Sequence, residues 1–191
     1  MCSLKEPIDS SAALKSLKMW SPPGYAAKAM EAMGVPVVAG PATEMYALIS
    51  KGTVDGFNGV STGDAAFKTA QLAKSCTVVE GGVFTPIFAV MINQGVWDGL
   101  PAEDQKAIES VSGEAFARLS GAVDEWNAAN LKAYTDQGGT LVTPSATFQD
   151  EMKAAWAPMG AAWVAKANSA GLDGQAIFDF YQEQVKAVEA E

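Results

Sequence analysis

The chain contains no histidine and a single arginine, Arg118, in 191 residues. Without an imidazole, Ser-His-Asp and Cys-His catalysis are excluded. Histidine-bearing zinc sites go with them, and two cysteines fall short of the four that an all-cysteine zinc site needs. One arginine on a chain of net charge −9 leaves no basic face for nucleic acid. The same balance disfavours docking on an anionic membrane surface. The apolar stretches are too short, and too interrupted by polar residues, to span a bilayer. The opening "MCSLKEPIDS" has no apolar h-region of a signal peptide. Either the chain is cytosolic, or its natural start is missing. No G-x-G-x-x-G and no G-x-x-x-x-G-K-[ST] occurs, so nucleotide binding has no support.

The two cysteines do not settle the redox compartment. Cys2 lies at a terminus, where chains fray. Cys76 reads as a small hydrophobe in a buried strand. A bridge between them is open to the chain, with fraying as the argument against it.

What is there alternates between strand and helix patterns. Residues 14–20 read as a strand entered from a helical turn at Ser11 to Leu14. Residues 25–33 read as a helix whose apolar stripe is Ala26, Ala29, Met30 and Met33, with Gly34 as its stop. Residues 35–39 form a second strand. Thr43 is placed to cap a helix with Met45, Leu48 and Ile49 on its inner face, and 53–57 form a third strand. This β-α-β-α-β order with short connections predicts a parallel sheet with right-handed crossovers. Asp64 is placed to cap a helix running to Lys74, and 76–80 is a strand. The apolar run 83–93 suits a strand buried on both faces. From Pro101 the chain is mostly helical. An apolar stripe runs from Ile108 to Trp126, a short strand spans 140–143, a helix bends at Pro158, and an amphipathic helix closes the chain.

Ligands of open α/β sheets bind beyond the carboxyl ends of the strands. Trp20 stands there, beside the rigid Ser21-Pro22-Pro23-Gly24 turn, although an indole also buries well in a core. Phe57 ends the third strand at the same level, and Asn58, Ser61 and Thr62 follow it. Together these residues offer aromatic surface, one amide and hydroxyls, the furnishings of a pocket for a small polar solute. No catalytic dyad is legible, although Asp55 and Glu80 both end strands and could pair as carboxylates. As ordinary features they are a turn residue and a solvated rim.

The stretches "ALKSLKMWSPPGYAAKAMEAMGVPVV", "EMYALISKGTVDGFNGV" and "FTPIFAVMINQGVWDGLPAEDQKAIES", with the tail to "GLDGQAIFDF", are similar to one family. The chain resembles the solute-binding receptors of tripartite ATP-independent periplasmic (TRAP) transporters, of the DctP type. The resemblance implies a periplasmic-binding-protein-like α/β fold with a long helical carboxy-terminal part and a first lobe largely missing. It implies an incoming linker over 1–13, a ligand-binding second lobe over 14–82, a crossing strand and hinge over 83–100, and a helical part over 101–191. It implies a periplasmic receptor, not an enzyme, with no cofactor and no metal. Its partners would be a small organic solute and the membrane subunits of a TRAP transporter. The shortened chain is also expected to self-associate.

In the family the position of Trp20 is usually an arginine that forks onto a ligand carboxylate. The usual Glu-Asn pair appears here as Phe57-Asn58. The ligand-binding set implied is Trp20, Ser21, Phe57, Asn58, Ser61 and Phe84. The family ligand is an organic acid. The exchange of a guanidinium for an indole points toward a neutral, aromatic or cationic solute. The alternatives are a truncated, non-binding fragment and a small α/β enzyme using Asp55 and Glu80.

Overall fold

The computed structural model describes residues 1–59, 69–79, 81–84, 88–119 and 121–190. Six strands form one sheet: β1 (Cys2–Ser3), β2 (Met19–Ser21), β3 (Val37–Ala39), β4 (Gly56–Phe57), β5 (Ser75–Thr77) and β6 (Thr140–Val142). Their spatial order is β3-β2-β4-β1-β5-β6. Helices α1 (Ser11–Lys15), α2 (Tyr25–Ala32) and α3 (Ala42–Ser50) fall among the first four strands. Then come α4 (Gln94–Asp98), α5 (Ala102–Ser110), α6 (Glu114–Leu119), α7 (Ala122–Asp136), α8 (Ala146–Ser169) and α9 (Gly174–Glu189).

The β-α-β-α-β reading holds: β2 pairs in parallel with β3 on one side and β4 on the other. The sheet as a whole is mixed, because β1 runs antiparallel to both β4 and β5. Residues 2–3, expected in a linker, thus sit in the middle of the sheet. A two-residue strand carries no alternation to betray it.

Other boundaries differ for local reasons. Ser10 caps α1 through its side chain, so the helix runs to Lys15 and β2 starts only at Met19. Pro41, with no side-chain cap bond, takes the cap position of α3 two residues ahead of Thr43. The third strand narrows to Gly56–Phe57. The expected strand over 83–93 is absent from its described residues, 83–84 and 88–93, which carry neither strand nor helix. Of the helix expected from Asp64, residues 64–68 lie outside the described residues. A 3-10 turn at Ala70–Leu72 follows them. The helical stretch after Pro101 breaks into α5, α6 and α7 near Gly113 and Gly121, whereas α8 passes through Pro158 as one helix.

The register builds the core. Val38, Trp20, Phe57, Cys2, Cys76 and Leu141 are Cα partners in one row across all six strands. Side chains alternate across a sheet, so this row shares a face. Met45 and Ile49 of α3, Val54, Ala73 and Tyr134 of α7 pack on it. The opposite face carries Met19 and Val37 and is covered by Leu14, Met30, Met33, Phe148 and Met152. Helices therefore cover both faces. Gly56 is required by closeness: a Cβ there would stand 2.4 Å from the Cys2 carbonyl oxygen and 2.7 Å from Met19 Sδ.

Cys2 and Cys76 are joined by a disulfide, against the expectation from fraying. They are direct cross-strand partners with Cα atoms 4.0 Å apart. The Thr77 N–H donates to the Met1 carbonyl at 2.7 Å, which makes Cys2 and Cys76 a non-hydrogen-bonded pair, the closer of the two antiparallel types. The terminus is held by its place in the sheet.

Candidate functional site

The carboxyl ends of β2, β4 and β5 open on one edge of the sheet, and antiparallel β1 brings Met1 to the same edge. A pocket of about 220 Å³ lies there. Its floor is strand-end backbone and side chains: Met1, Asn58, Gly59, Thr77 and Val78. Val79, Val83 and Phe84 from the segment after β5 form an apolar wall, and Asn127 and Leu131 close it from α7.

Asn58 is fixed by its backbone, whose N–H donates to the Trp20 carbonyl at 2.9 Å and extends the β2–β4 ladder by one residue. Its side chain is 1% exposed, and Nδ2 has no partner. Asn127 Oδ1 is likewise buried without a partner. Buried polar groups are nearly always satisfied, so these two atoms, on residues that line one pocket, are exceptions. The Thr77 hydroxyl proton is already committed, donating to the Ile8 carbonyl at 2.6 Å.

The residues singled out in the sequence divide. Asn58 and Phe84 both line the pocket. Ser21 is buried at the end of β2, and its hydroxyl donates to the Pro22 carbonyl at 3.2 Å. Trp20 and Phe57 are side-by-side partners in the core row, 2% and 0% exposed, and neither lines the pocket. Trp20 Nε1 nevertheless has no hydrogen-bond partner. Ser61, Thr62 and Glu80 lie outside the described residues.

Sequence reasoning missed Asn127 and Leu131. Their signal is a stripe with Tyr134 at i, i+4 and i+7 on α7, the spacing of one helix face. The expected stripe through Trp126 competed with it, yet Trp126 is exposed and Tyr134 is buried.

Asp55 precedes β4 and so lies toward the opposite edge of the sheet. Its carboxylate binds Lys5 Nζ at 2.6 Å and accepts the Lys18 N–H at 3.0 Å. The Lys5 bond, followed by the Lys18 amide, holds its pKa below the ordinary value. A general base at neutral pH needs the reverse shift. Among the described residues, no group of three or more Cys, Asp or Glu gathers to hold a metal ion.

An α/β sheet with helices on both faces and an open pocket at its carboxyl edge is an architecture that solute-binding proteins share with other α/β proteins. Residues 1–166 match the family model of DctP, the bacterial extracellular solute-binding proteins of family 7, and the chain belongs to that family. It is 34% identical over 188 residues to a protein of Comamonas testosteroni described as outer membrane transporter protein TsaT. That match covers 98% of this chain and 56% of the relative. It is 30% identical over 114 residues to the C4-dicarboxylate-binding periplasmic protein DctP of Rhodobacter capsulatus, covering 60% of this chain and 33% of the relative.

Among solved structures it is similar to a marine metagenome TRAP solute-binding protein specific for aromatic acid ligands, in complex with metahydroxyphenylacetate. The TM-score is 0.89 at 30% identity, over 97% of this chain and 59% of the other. A TRAP periplasmic solute-binding protein of Bordetella bronchiseptica, with bound (R)- and (S)-mandelate, gives a TM-score of 0.90 at 26% identity, over 98% of this chain and 60% of the other. The family and these neighbours are solute-binding proteins rather than enzymes. The chain spans between half and two thirds of the length of these relatives, apart from the shorter dicarboxylate-binding match.

Proposed function

We propose that this chain is the ligand-capturing α/β part of a periplasmic receptor that takes up a small organic acid with an apolar, ring-sized body and passes it to the membrane subunits of a TRAP transporter. The observation that carries this reading is the pocket at the strand ends. It is apolar along Val78, Val79, Val83, Phe84 and Leu131, with Asn58 and Asn127 as the amide-bearing residues of its lining. A volume of about 220 Å³ lies below the roughly 300–1,000 Å³ that houses drug-sized molecules, so the occupant is small.

No lysine or arginine stands among the described residues that line the pocket. A carboxylate there is held by neutral donors, and the apolar body supplies the rest of the affinity. This fits the indole at the family's arginine position. It also fits the aromatic-acid and mandelate ligands of the two solved relatives. The proposed contact set is Asn58 in the floor and Phe84 in the wall, with Ser61 further along the sequence, while Trp20, Ser21 and Phe57 are buried at the strand ends behind them. An enzyme acting through Asp55 is not favoured, since that carboxylate is bound by Lys5 and held ionised.

The test is calorimetric titration and thermal shift of the 191-residue chain against benzoate, mandelate, malonate and glucose. Benzoate and mandelate are expected to bind and raise the melting temperature. Asn58→Ala is expected to weaken them about tenfold, the worth of one hydrogen bond to a charged group. Absence of binding by both aromatic acids, or equal binding of glucose, overturns the reading.

A further inference from the structure

The residues that line the strand-end pocket come from two halves of the sheet joined through β1. Asn58 and Gly59 follow β4, whereas Thr77, Val78 and Val79 end or follow β5. Among the described residues β4 and β5 do not pair with each other. β1 lies between them and adds Met1 to the lining. Asn127 and Leu131 belong with the β5 half, because α7 leads into β6, the partner of β5.

The seam between β1 and β5 is short. The Thr77 N–H donates to the Met1 carbonyl at 2.7 Å and the Lys74 N–H to the Ser3 carbonyl at 2.9 Å. The Thr77 hydroxyl donates to the Ile8 carbonyl at 2.6 Å, and the Cys2–Cys76 disulfide ties the seam covalently. Cys2 is 0% and Cys76 1% exposed, in the core that holds Ala73 and Tyr134. A thiolate must reach a sulfur in order to reduce it, so a reductant acts only when the seam parts.

We propose, with its binding consequence resting on the reading above, that the Cys2–Cys76 pair is a redox switch on the pocket. Oxidised, it keeps the β1–β5 seam closed and the two halves of the lining together. Reduced, it lets the seam open locally, and solute capture is weakened. A dithiol supplies the electrons. Its thiolate attacks one cystine sulfur, the S–S bond breaks, and the released sulfur takes a proton. Its second thiol resolves the mixed disulfide, so two electrons and two protons pass to the chain and the dithiol leaves as a disulfide. Such bridges persist in oxidising compartments, which confines full capture to them. The linkage is reciprocal: an occupant that touches both halves holds the seam shut and shields the bridge.

The test is hydrogen-exchange mass spectrometry of the 191-residue chain, below its melting transition, with and without dithiothreitol. Amides over 1–8 and 73–79 are expected to exchange at least about tenfold faster once the bridge is reduced, while those over 19–32 and 174–188 keep their rates. Cys2→Ala/Cys76→Ala is expected to match the reduced chain, with or without reductant. By titration calorimetry, mandelate is expected to bind the oxidised chain about tenfold more tightly than the reduced one. At ten times its Kd it is expected to slow thiol release by dithiothreitol about tenfold. Equal exchange at the seam in both redox states overturns the switch. Loss of protection in all elements together also overturns it, because the bridge then supports the whole fold and not the seam. Equal mandelate affinity in both states does the same, and the aromatic-acid reading stands. If mandelate does not bind the oxidised chain, that reading falls and the exchange result decides the switch.

Discussion

Trp20 inserts its indole into the sheet face covered by α3, between Val38 and Phe57 in the cross-strand row. At 2% exposure it is a core residue by packing, whatever its N–H does. Removing such a ring costs about 3–5 kcal/mol, since neighbours collapse only partly into the space. At this chain length each kcal/mol moves the melting temperature by roughly 2–4 °C. Trp20→Ala is therefore expected to melt roughly 6–20 °C lower, and Trp20→Phe to recover most of that loss, as read by thermal denaturation. A Trp20→Ala variant that melts like the parent but binds aromatic acids poorly would instead place the ring in the pocket. Residue type alone does not separate these roles, because an indole at a strand end suits core and ligand equally. Asn58 was legible because topology sets the level of a strand end regardless of packing. Asn127 was not, because a polar residue on a long helix ordinarily means the solvated side. Only the covering of the strand ends by α7 turns it inward.

At the scale of elements, β1 joins two halves of the sheet. It bridges β4, which ends the parallel β2-β3-β4 group, to β5, which pairs with β6. Two residues make few ladder bonds, and the Cys2–Cys76 bridge fastens them across a sequence separation of 74. Closing a loop of that length removes enough unfolded-chain entropy to contribute about 4 kcal/mol. Because Met1 and Val78 both line the pocket, the same bridge holds two strands of its floor together. The double variant Cys2→Ala/Cys76→Ala is expected to melt roughly 8–16 °C below the oxidised parent. A reductant should bring the parent down to the variant and leave the variant unmoved, as read by calorimetry. Coincident melts with and without reductant would mean that the bridge contributes nothing. The parallel βαβ core was readable from period and glycine stops. β1 was not, since its pairing depends on partners more than fifty residues away in sequence.

For the whole molecule the decisive feature is apolar surface without cover. Phe88, Val90 and Met91 are 88%, 91% and 87% exposed, in a segment that carries neither strand nor helix. Val111, Phe116 and Leu119 around α5 and α6, and Phe180 and Tyr181 on α9, are exposed as well. An apolar run at 83–93 reads as buried strand in the sequence. Here its described part has no strand to pair with, so the backbone groups and side chains that would be satisfied by a neighbour stand open. Patches of this kind mark interaction surfaces or association. In the solved relatives about two fifths of the chain lies beyond the matched region. Opposing association is the net charge of −9, whose repulsion is long-ranged and falls as salt is added. The apolar attraction is short-ranged and survives salt, so raising ionic strength shifts the balance toward contact. The 191-residue chain is therefore expected to self-associate in a concentration-dependent way, more strongly at high salt, as measured by multi-angle light scattering. Phe88→Asp with Val90→Lys should reduce it without lowering the melting temperature, because neither side chain belongs to the core. A monomer at all concentrations and salts would show that this surface is tolerated by the isolated chain.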